Sequence, residues 1–130
     1  MNTSSVGPNA SLLDAIRVIE SSRKRMVVVL SETFTLLGTV TDGDIRRCLL
    51  MGGKLDSSVH EAMNKSPISV TRGSSKSYIL DQMRKRNVLG IPVLDSNGTF
   101  LEIVHLTDLE VKDQDHSLEK SFDFAVIMAG

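Results

Sequence analysis

The chain has 130 residues, of which 41% are hydrophobic and 24% are charged, and its formal net charge at pH 7 is -1. This size and composition are typical of one ordinary soluble domain, or of two small units that share a core. A nearly neutral charge excludes the strong positive field that attracts nucleic acid or anionic membranes, so we expect neither partner. Residues 1–10 lack a signal-peptide pattern and no long apolar run occurs, so we expect a cytoplasmic protein.

The cysteine, histidine and aromatic content excludes further classes of site. Cys48 is the single cysteine, so no internal disulfide forms, and it stands outside any Cys/His cluster that would suggest a metal. His60 and His116 have no partner at ligand spacing, and we interpret them as surface residues. Because the chain has no Trp, one Tyr and four Phe, it offers few platforms on which single-stranded nucleic acid would stack.

The first third of the chain predicts a short strand, a helix and a buried strand. We expect the short strand at residues 5–6 and the helix from Ser11 onward, where apolar residues recur at helical spacing. The basic run 23–25 follows, and we interpret it as a helix cap and solvated face because cations suit a helix C-terminus. Met26–Leu30 is a continuous apolar run, which is typical of a strand buried on both faces.

A polar turn within Gly38–Ile45 joins a predicted strand, Leu36–Val40, to a predicted helix. Thr41 is a good helix N-cap, and Asp44 follows in the first helical turn. Such a helix start attracts phosphate through its unpaired N–H groups and its dipole, and Asp44 would then suit the hydroxyls of a sugar. The alternative is that Thr41 and Asp44 form only a capping box, which by itself is the favoured interpretation.

The same pattern occurs twice. When 64 is added to each residue number, the helix, the two strands and the second helix of the first copy fall on their counterparts without a gap. A gapless register of this kind defines an internal repeat. It pairs Ile16 with Leu80, Ile19 with Met83, Val29 with Val93, Leu30 with Leu94, Thr35 with Thr99, Val40 with Val104 and Asp44 with Asp108.

The second copy therefore has predicted elements of its own. Ser74 or Ser75 begins its helix, which ends at the basic run 84–86. The residues at 95–98 are a strong hairpin signal between two strands. The two strands of the second copy are expected at Gly90–Leu94 and Phe100–Val104, and its last helix is expected after His105. The connection between the copies is expected to contain a short helix at Asp56–Met63 and an extended segment at Pro67–Val70.

Each copy provides only a small sheet with flanking helices, which is too little to bury its own apolar face. Two copies packed around a pseudo-twofold axis would cover each other. The predicted fold class is therefore α/β (α+β), with two pseudo-twofold-related repeats. This arrangement places the two strand-to-helix turns near a shared cleft, where the ligands of α/β units usually lie.

The repeated residues resemble the CBS (cystathionine-β-synthase) domain. Gly38–Ile45 is similar to its motif of a glycine, a β-branched residue, Thr or Ser, two free positions and Asp. Ile91–Asp95 resembles the family's strand that is entered through a proline. The resemblance covers roughly residues 5–112, and its duplication corresponds to a tandem CBS pair, or Bateman module.

The resemblance implies a regulatory ligand rather than a required cofactor. In that family the cleft between repeats binds AMP, ADP or ATP, or an adenosine compound such as S-adenosylmethionine. The resemblance implies that Asp44 accepts from the ribose hydroxyls and that Thr41 donates to phosphate. The residues that it places against the base are Val27 and Val28 in the first copy, Ile91 and Pro92 in the second, and Ile68 and Val70 in the linking strand.

The second copy departs from the family motif at two positions. Glu102 replaces the glycine and His105 replaces Thr or Ser, whereas Asp108 is kept. Glu102 would crowd a ligand or repel its phosphates, unless it points into solvent. His105 would donate to phosphate, or else pack at a strand end. The sequence therefore favours a site at Thr41 and Asp44. For His105 and Asp108 two interpretations remain, an altered site and a vacant one.

The predicted organisation is a first repeat with its lead-in at 1–57, a second repeat with the connecting segment at 58–112, and a linker at 113–121. Residues 122–130 would then be the first strand of another domain, because Ala125–Gly130 resembles the opening strand of a sugar-phosphate nucleotidyltransferase. We therefore expect a fragment whose parent chain continues into such an enzyme.

Three functions follow from these observations. The first is a regulatory adenosine-nucleotide-binding module that controls the attached nucleotidyltransferase, which the intact Thr41 and Asp44 favour. The second is a ligand-free module that pairs two chains into a homodimer, which Glu102 and His105 favour. An enzyme within these residues is the weakest, because no catalytic pair, metal cluster or complete phosphate loop occurs, and no catalytic residue is assigned. The apolar residues predicted for a dimer interface are Ile45, Leu49 and Leu50, or Leu106 and Leu109.

Overall fold

The computed structural model describes residues 4–22 and 24–109. The predicted linker at 113–121, the predicted final strand at 122–130 and His116 lie outside these residues. In the described part of the chain, no helix is long and apolar enough to cross a membrane.

The first repeat begins with a short edge strand and a capped helix. Ser11 is the N-cap of its first helix: the Ser11 hydroxyl accepts from the Asp14 N–H at 3.1 Å, and the Ser11 N–H donates to the Asp14 carboxylate at 3.0 Å. This capping box satisfies two backbone donors that a helix start otherwise leaves open. The elements are β1 (Ser5–Val6), α1 (Leu12–Ser21), β2 (Met26–Leu30), β3 (Leu36–Thr41) and α2 (Asp42–Leu50).

The second repeat follows a connecting segment that contains a short 3-10 helix, Val59–Glu61. Ser75 is the N-cap of its first helix, whose last turn carries the predicted basic run 84–86. Residues 106–109 are helical after the last strand. The elements are β4 (Val70–Thr71), α3 (Lys76–Arg86), β5 (Gly90–Leu94) and β6 (Phe100–His105).

The two sheets have the same topology. In the first, β1 pairs parallel with β2 and β2 pairs antiparallel with β3. In the second, β4 pairs parallel with β5 and β5 pairs antiparallel with β6. The register is also repeated, since Val6 lies opposite Val29 and Val70 lies opposite Val93, and each copy has an irregularity directly after that valine.

The sheets pack against each other across a pseudo-twofold axis. Thr35 forms an isolated antiparallel bridge with Thr99, its counterpart 64 residues on, and the Phe100 N–H donates to the Phe34 carbonyl at 3.0 Å. The predicted α/β (α+β) class with two pseudo-twofold-related repeats is confirmed. The buried cluster between the sheets consists of Met26, Val28, Leu30, Phe100 and Ile103.

Three expectations about individual segments differ from the structure. Lys24 and Arg25 of the predicted basic run do not lie in the last turn of α1, because that helix ends at Ser21 and no basic residue lies in its last turn; residue 23 lies outside the described residues. The predicted helix at Asp56–Met63 is only the three-residue 3-10 helix. Ile45 and Leu109 are not available to a dimer interface, since they are 5% and 4% exposed and pack in the core of their own repeats.

The connecting segment packs on the first repeat. Val59 is fully buried in that repeat's core, and Met63 packs against the same cluster. The Val59 N–H donates to the Ala10 carbonyl at 2.9 Å, and Asn64 forms an isolated antiparallel bridge with Thr39. The chain therefore crosses to the second sheet only after residue 64.

Candidate functional site

A partly open cleft of about 640 Å³ lies between the two repeats. Four segments surround it: the entry to β2, the start of α2, the connecting segment and the loop that leads into β5. A smaller cavity of about 150 Å³ shares part of this lining. The lining of the cleft includes Lys24, Arg25, Met26, Thr39, Thr41–Asp44, Arg47, Ala62–Asn64 and Asn87–Gly90.

Thr41 and Asp44 form the predicted capping box at the start of α2. The Thr41 N–H donates to Asp44 Oδ2 at 2.9 Å, and the Asp44 N–H donates to the Thr41 hydroxyl at 3.3 Å. Asp44 Oδ1 accepts from Arg47 at 3.1 Å, and the Asp44 side chain is only 17% exposed. The carboxylate is therefore held rigidly at the wall of the cleft, with every described bond supplied by its own repeat.

The helix start also presents backbone donors to the cleft. Asp42 and Gly43 occupy the first two helical positions and border the cleft. Amide N–H groups at these positions have no intrahelical acceptor, and the helix dipole adds partial positive charge there. This end of the cleft is therefore suited to an anionic group such as phosphate.

Three cationic side chains border the same cleft. Lys24 and Arg25 come from the turn before β2, and Arg47 comes from α2. The Arg25 backbone has φ 58°, a left-handed conformation that positions it at a sharp turn. Arg47 offsets the charge of Asp44, whereas the Lys24 ammonium binds Asp108. The cleft therefore has both a hydroxyl acceptor and cationic groups that suit an anion.

Gly38 is required by a close approach of two backbone segments. A Cβ at this position would lie 2.7 Å from Met63 Sδ and 2.8 Å from the Asn64 carbonyl oxygen. The neighbouring Thr39 and Asn64 exchange backbone hydrogen bonds at 2.8 and 3.2 Å, which fixes the approach. The motif glycine thus brings the connecting segment onto β3 as one wall of the cleft.

The residues predicted to contact a base lie partly in the core and partly at the smaller cavity. Val27 and Val28 are fully buried and do not line either cavity, because neighbouring layers cover both faces of β2. Met26, at the end of the same strand, borders both cavities instead. Of the remaining predicted residues, Ile68 and Pro92 border the smaller cavity, whereas Val70 and Ile91 lie in the core of the second repeat.

The second half-site, at His105 and Asp108, differs from the first half-site at Thr41 and Asp44. The His105 N–H donates to Asp108 Oδ2 at 2.9 Å, as Thr41 does to Asp44. The His105 ring is buried, and its Nδ1 accepts from the Thr107 N–H at 3.2 Å, so the ring caps the helix in place of a hydroxyl. Asp108 Oδ2 is also bound by the ammonium of Lys24, which belongs to the first repeat.

The contact with Lys24 favours the charged form of the Asp108 carboxyl. Burial raises the pKa of Asp108, but hydrogen bonds from Lys24 and from the His105 N–H outweigh it, so this pKa lies below its ordinary value of 3.8. Glu102, at the motif glycine position, is exposed, which fits the alternative in which its charge points into solvent.

Sequence reasoning missed the contributions of Lys24, Met26 and the loop at 87–90. The basic run containing Lys24 was interpreted as solvated, although Val88 is the equivalent of Lys24 in the second copy of the repeat. A lysine in one copy at a position where the other copy has valine was the available signal. The loop at 87–90 carried no motif, and only the folded structure shows that it borders the cleft together with the start of α2.

Comparison with known families agrees with this architecture. A family model described as the CBS domain matches residues 2–51 and 59–110. The chain therefore belongs to the CBS domain family, and its two matched segments make it a tandem CBS pair.

A curated relative provides a longer context. Arabinose 5-phosphate isomerase GutQ of Salmonella typhi is 33% identical over 98 residues, which are 75% of this chain and 30% of that protein. The chain thus spans about a third of the length of the curated relatives it matches. These relatives are sugar-phosphate isomerases, so the predicted association with a nucleotidyltransferase receives no support from them.

Solved structures share the fold. A CBS-domain containing protein from Agrobacterium tumefaciens has a TM-score of 0.73 and 26% identity, over 85% of this chain and 87% of that one. A CBS domain protein from Pyrobaculum aerophilum, complexed with AMP, has a TM-score of 0.76 and 20% identity, over 83% of each chain. Another CBS domain pair, in complex with 5′-methylthioadenosine and S-adenosyl-L-methionine, has a TM-score of 0.76 and 21% identity, over 85% of this chain and 87% of that one.

Proposed function

We propose that this CBS pair is a regulatory module that binds an adenosine nucleotide in the cleft beside Thr41 and Asp44. We further propose that it controls an enzyme domain in the same parent chain, and that this enzyme acts on a sugar phosphate. The predicted nucleotidyltransferase is one such enzyme, but the isomerase relatives favour a different chemistry for the attached domain.

The observation that carries the proposal is the combination of groups around one cleft. A fixed carboxylate, a helix start and cationic side chains lie at one end, and apolar side chains from both repeats lie beside them. A nucleotide needs these same groups: an acceptor for its ribose hydroxyls, donors for its phosphate and an apolar wall for its base. AMP and S-adenosylmethionine in the complexes of structurally similar CBS pairs support this ligand class.

Each group has a proposed role. Asp44 accepts from the ribose hydroxyls, in place of its bond to the exposed Arg47 guanidinium. Arg47 then turns to the phosphate, where the Thr41 hydroxyl and the amides of the first helical turn also donate. Met26 and Val88, one from each repeat, both line the cleft and contact the base.

Binding regulates an attached enzyme only if the nucleotide prefers one arrangement of the two repeats. A ligand with equal affinity for two states does not change their populations. The lining of the cleft supports such a preference, because it comes from both repeats and a change in their arrangement would change the contacts with the ligand.

The second candidate function is a ligand-free module that forms a homodimer. The end of α2 and the residues after it expose a run of large apolar side chains, which is the observation that favours this function. Analytical ultracentrifugation of the chain and of a Leu50→Lys variant tests it, with loss of a dimer as the expected result. The exposed residues are Leu49, Leu50, Met51 and Leu55.

Isothermal titration with AMP, ATP and S-adenosylmethionine tests the nucleotide function directly. We expect saturable binding of at least one ligand and at least a tenfold loss of affinity in an Asp44→Ala variant, because the ribose loses its acceptor. Asp14→Ala is the matched control, since it removes the same kind of capping box from α1, away from the cleft. Equal affinity in the Asp44→Ala and parent chains would contradict the role of Asp44.

A further inference from the structure

Lys24 connects the two repeats at the second half-site. It lies in the turn between α1 and β2, and its ammonium binds Asp108 in the helical turn after β6. The two residues are 84 positions apart in sequence, so this contact depends on how the repeats pack.

Among the residues that the structure describes, the first half-site has no equivalent contact. Under the repeat register, the counterpart of Lys24 is Val88 and the counterpart of Asp108 is Asp44. Val88 borders the cleft with Asp44, but its side chain carries no donor. The described bonds of the Asp44 carboxylate come from Thr41 and Arg47 of its own repeat.

We propose that Lys24 is an internal occupant of the second half-site. Its ammonium lies on the Asp108 carboxylate and competes there with a ribose hydroxyl. The chain therefore binds a nucleotide more tightly beside Asp44 than beside Asp108. This proposal rests on the proposed function, because it assumes that an aspartate at this motif position recognises ribose.

The contacts of Asp108 explain how a single lysine weakens nucleotide binding at the second half-site. Asp108 Oδ2 accepts from the His105 N–H and from Lys24, so a ribose diol must compete with the ammonium for this carboxylate. The ammonium is part of the same chain and never diffuses away. The Lys24 and Asp108 side chains are 31% and 42% exposed, and a pair with this much exposure changes an equilibrium by a factor of about five.

The experiment isolates the second half-site. AMP is titrated into an Asp44→Ala chain, in which the first half-site is removed, and into the same chain with Lys24→Val. Valine reproduces the residue that the other repeat has at this position. We expect weak or no binding without the second change, and an affinity at least about fivefold higher with it.

Three further variants make the result specific. Lys85→Val also removes a lysine from an exposed pair, since Lys85 lies 3.2 Å from Asp81 in α3, and we expect no gain in affinity. Lys24→Arg keeps a cation beside Asp108, so the half-site stays closed. Asp108→Asn added to Lys24→Val removes the acceptor, so the gain disappears.

The possible failures are distinguishable. An unchanged affinity after Lys24→Val overturns the proposal, and so does a gain that persists with Asp108→Asn. If the parent and Asp44→Ala chains bind AMP equally, the proposed role of Asp44 fails, while the gain that depends on Lys24 and Asp108 is still measured. Two equivalent sites in the parent chain would also overturn the proposal.

Discussion

The two half-sites of this CBS pair share a backbone and differ in what faces the aspartate. Asp44 borders a cleft that Val88 also lines, whereas Asp108 is bound by Lys24. Hydrogen bonds from the N-cap residue to the aspartate are the same in both copies, at 2.9 Å each. The difference teaches that the motif builds the same helix start in both copies, and that the opposite repeat gives the two aspartates different neighbours.

The largest expected difference between the repeats concerns the packing of the sheets. Phe100 is 7% exposed in the cluster between the sheets, whereas its counterpart Leu36 is only partly buried. We expect Phe100→Ala to lower the free energy of unfolding by about 3–5 kcal/mol, and Leu36→Ala to lower it by about 2 kcal/mol. Urea denaturation followed by circular dichroism measures both values. Equal losses would show that the two repeats contribute equally to the shared core.

The motif glycine provides the next comparison. Gly38→Ala introduces a Cβ against Met63 and the Asn64 backbone, so we expect a loss of about 1–3 kcal/mol in the free energy of unfolding. Glu102→Ala, at the same position of the second repeat, changes an exposed residue and stays within about 0.5 kcal/mol. The same denaturation assay measures both. An unchanged free energy of unfolding in Gly38→Ala would mean that the connecting segment does not pack closely against β3 at this position.

The smallest expected effect is the acid dependence of the Lys24–Asp108 pair. Because the folded-state pKa of Asp108 lies below its ordinary value of 3.8, the pair stabilises the fold above pH 3.8, and this stabilisation is lost as the pH falls through the lowered value. Exposure limits the effect to less than about 1 kcal/mol. Carbon-detected NMR titration of the Asp108 carboxyl measures the pKa directly. We expect it to rise in Lys24→Val, and an unchanged value would show that Lys24 does not hold the carboxylate in solution.

Much of the fold followed from local patterns. The repeat register predicted both sheets, because strand and helix periodicities depend on neighbouring residues and are preserved in each copy. The capping box at Thr41 and Asp44 was predicted for the same reason. These features need only a few consecutive residues to be specified.

The details of the cleft depended on packing that local patterns do not contain. The buried run Met26–Leu30 was recognised, but only the three-dimensional arrangement shows that Met26 borders the cleft while Val27 and Val28 lie beneath other layers. The contact of Lys24 with Asp108 requires two turns from different repeats to meet. Neither residue carries a sequence signal for this contact apart from the asymmetry between the copies.

The packing of the connecting segment has a consequence for how such a pair is assembled. Val59 and Met63 complete the core of the first repeat, although they follow its last helix and precede the second sheet. A chain that stopped after α2 would leave the apolar faces of Val27 and Val40 exposed on that side, so a single copy of the motif is not a closed folding unit. The connecting segment is therefore a structural part of the first repeat as well as the link to the second.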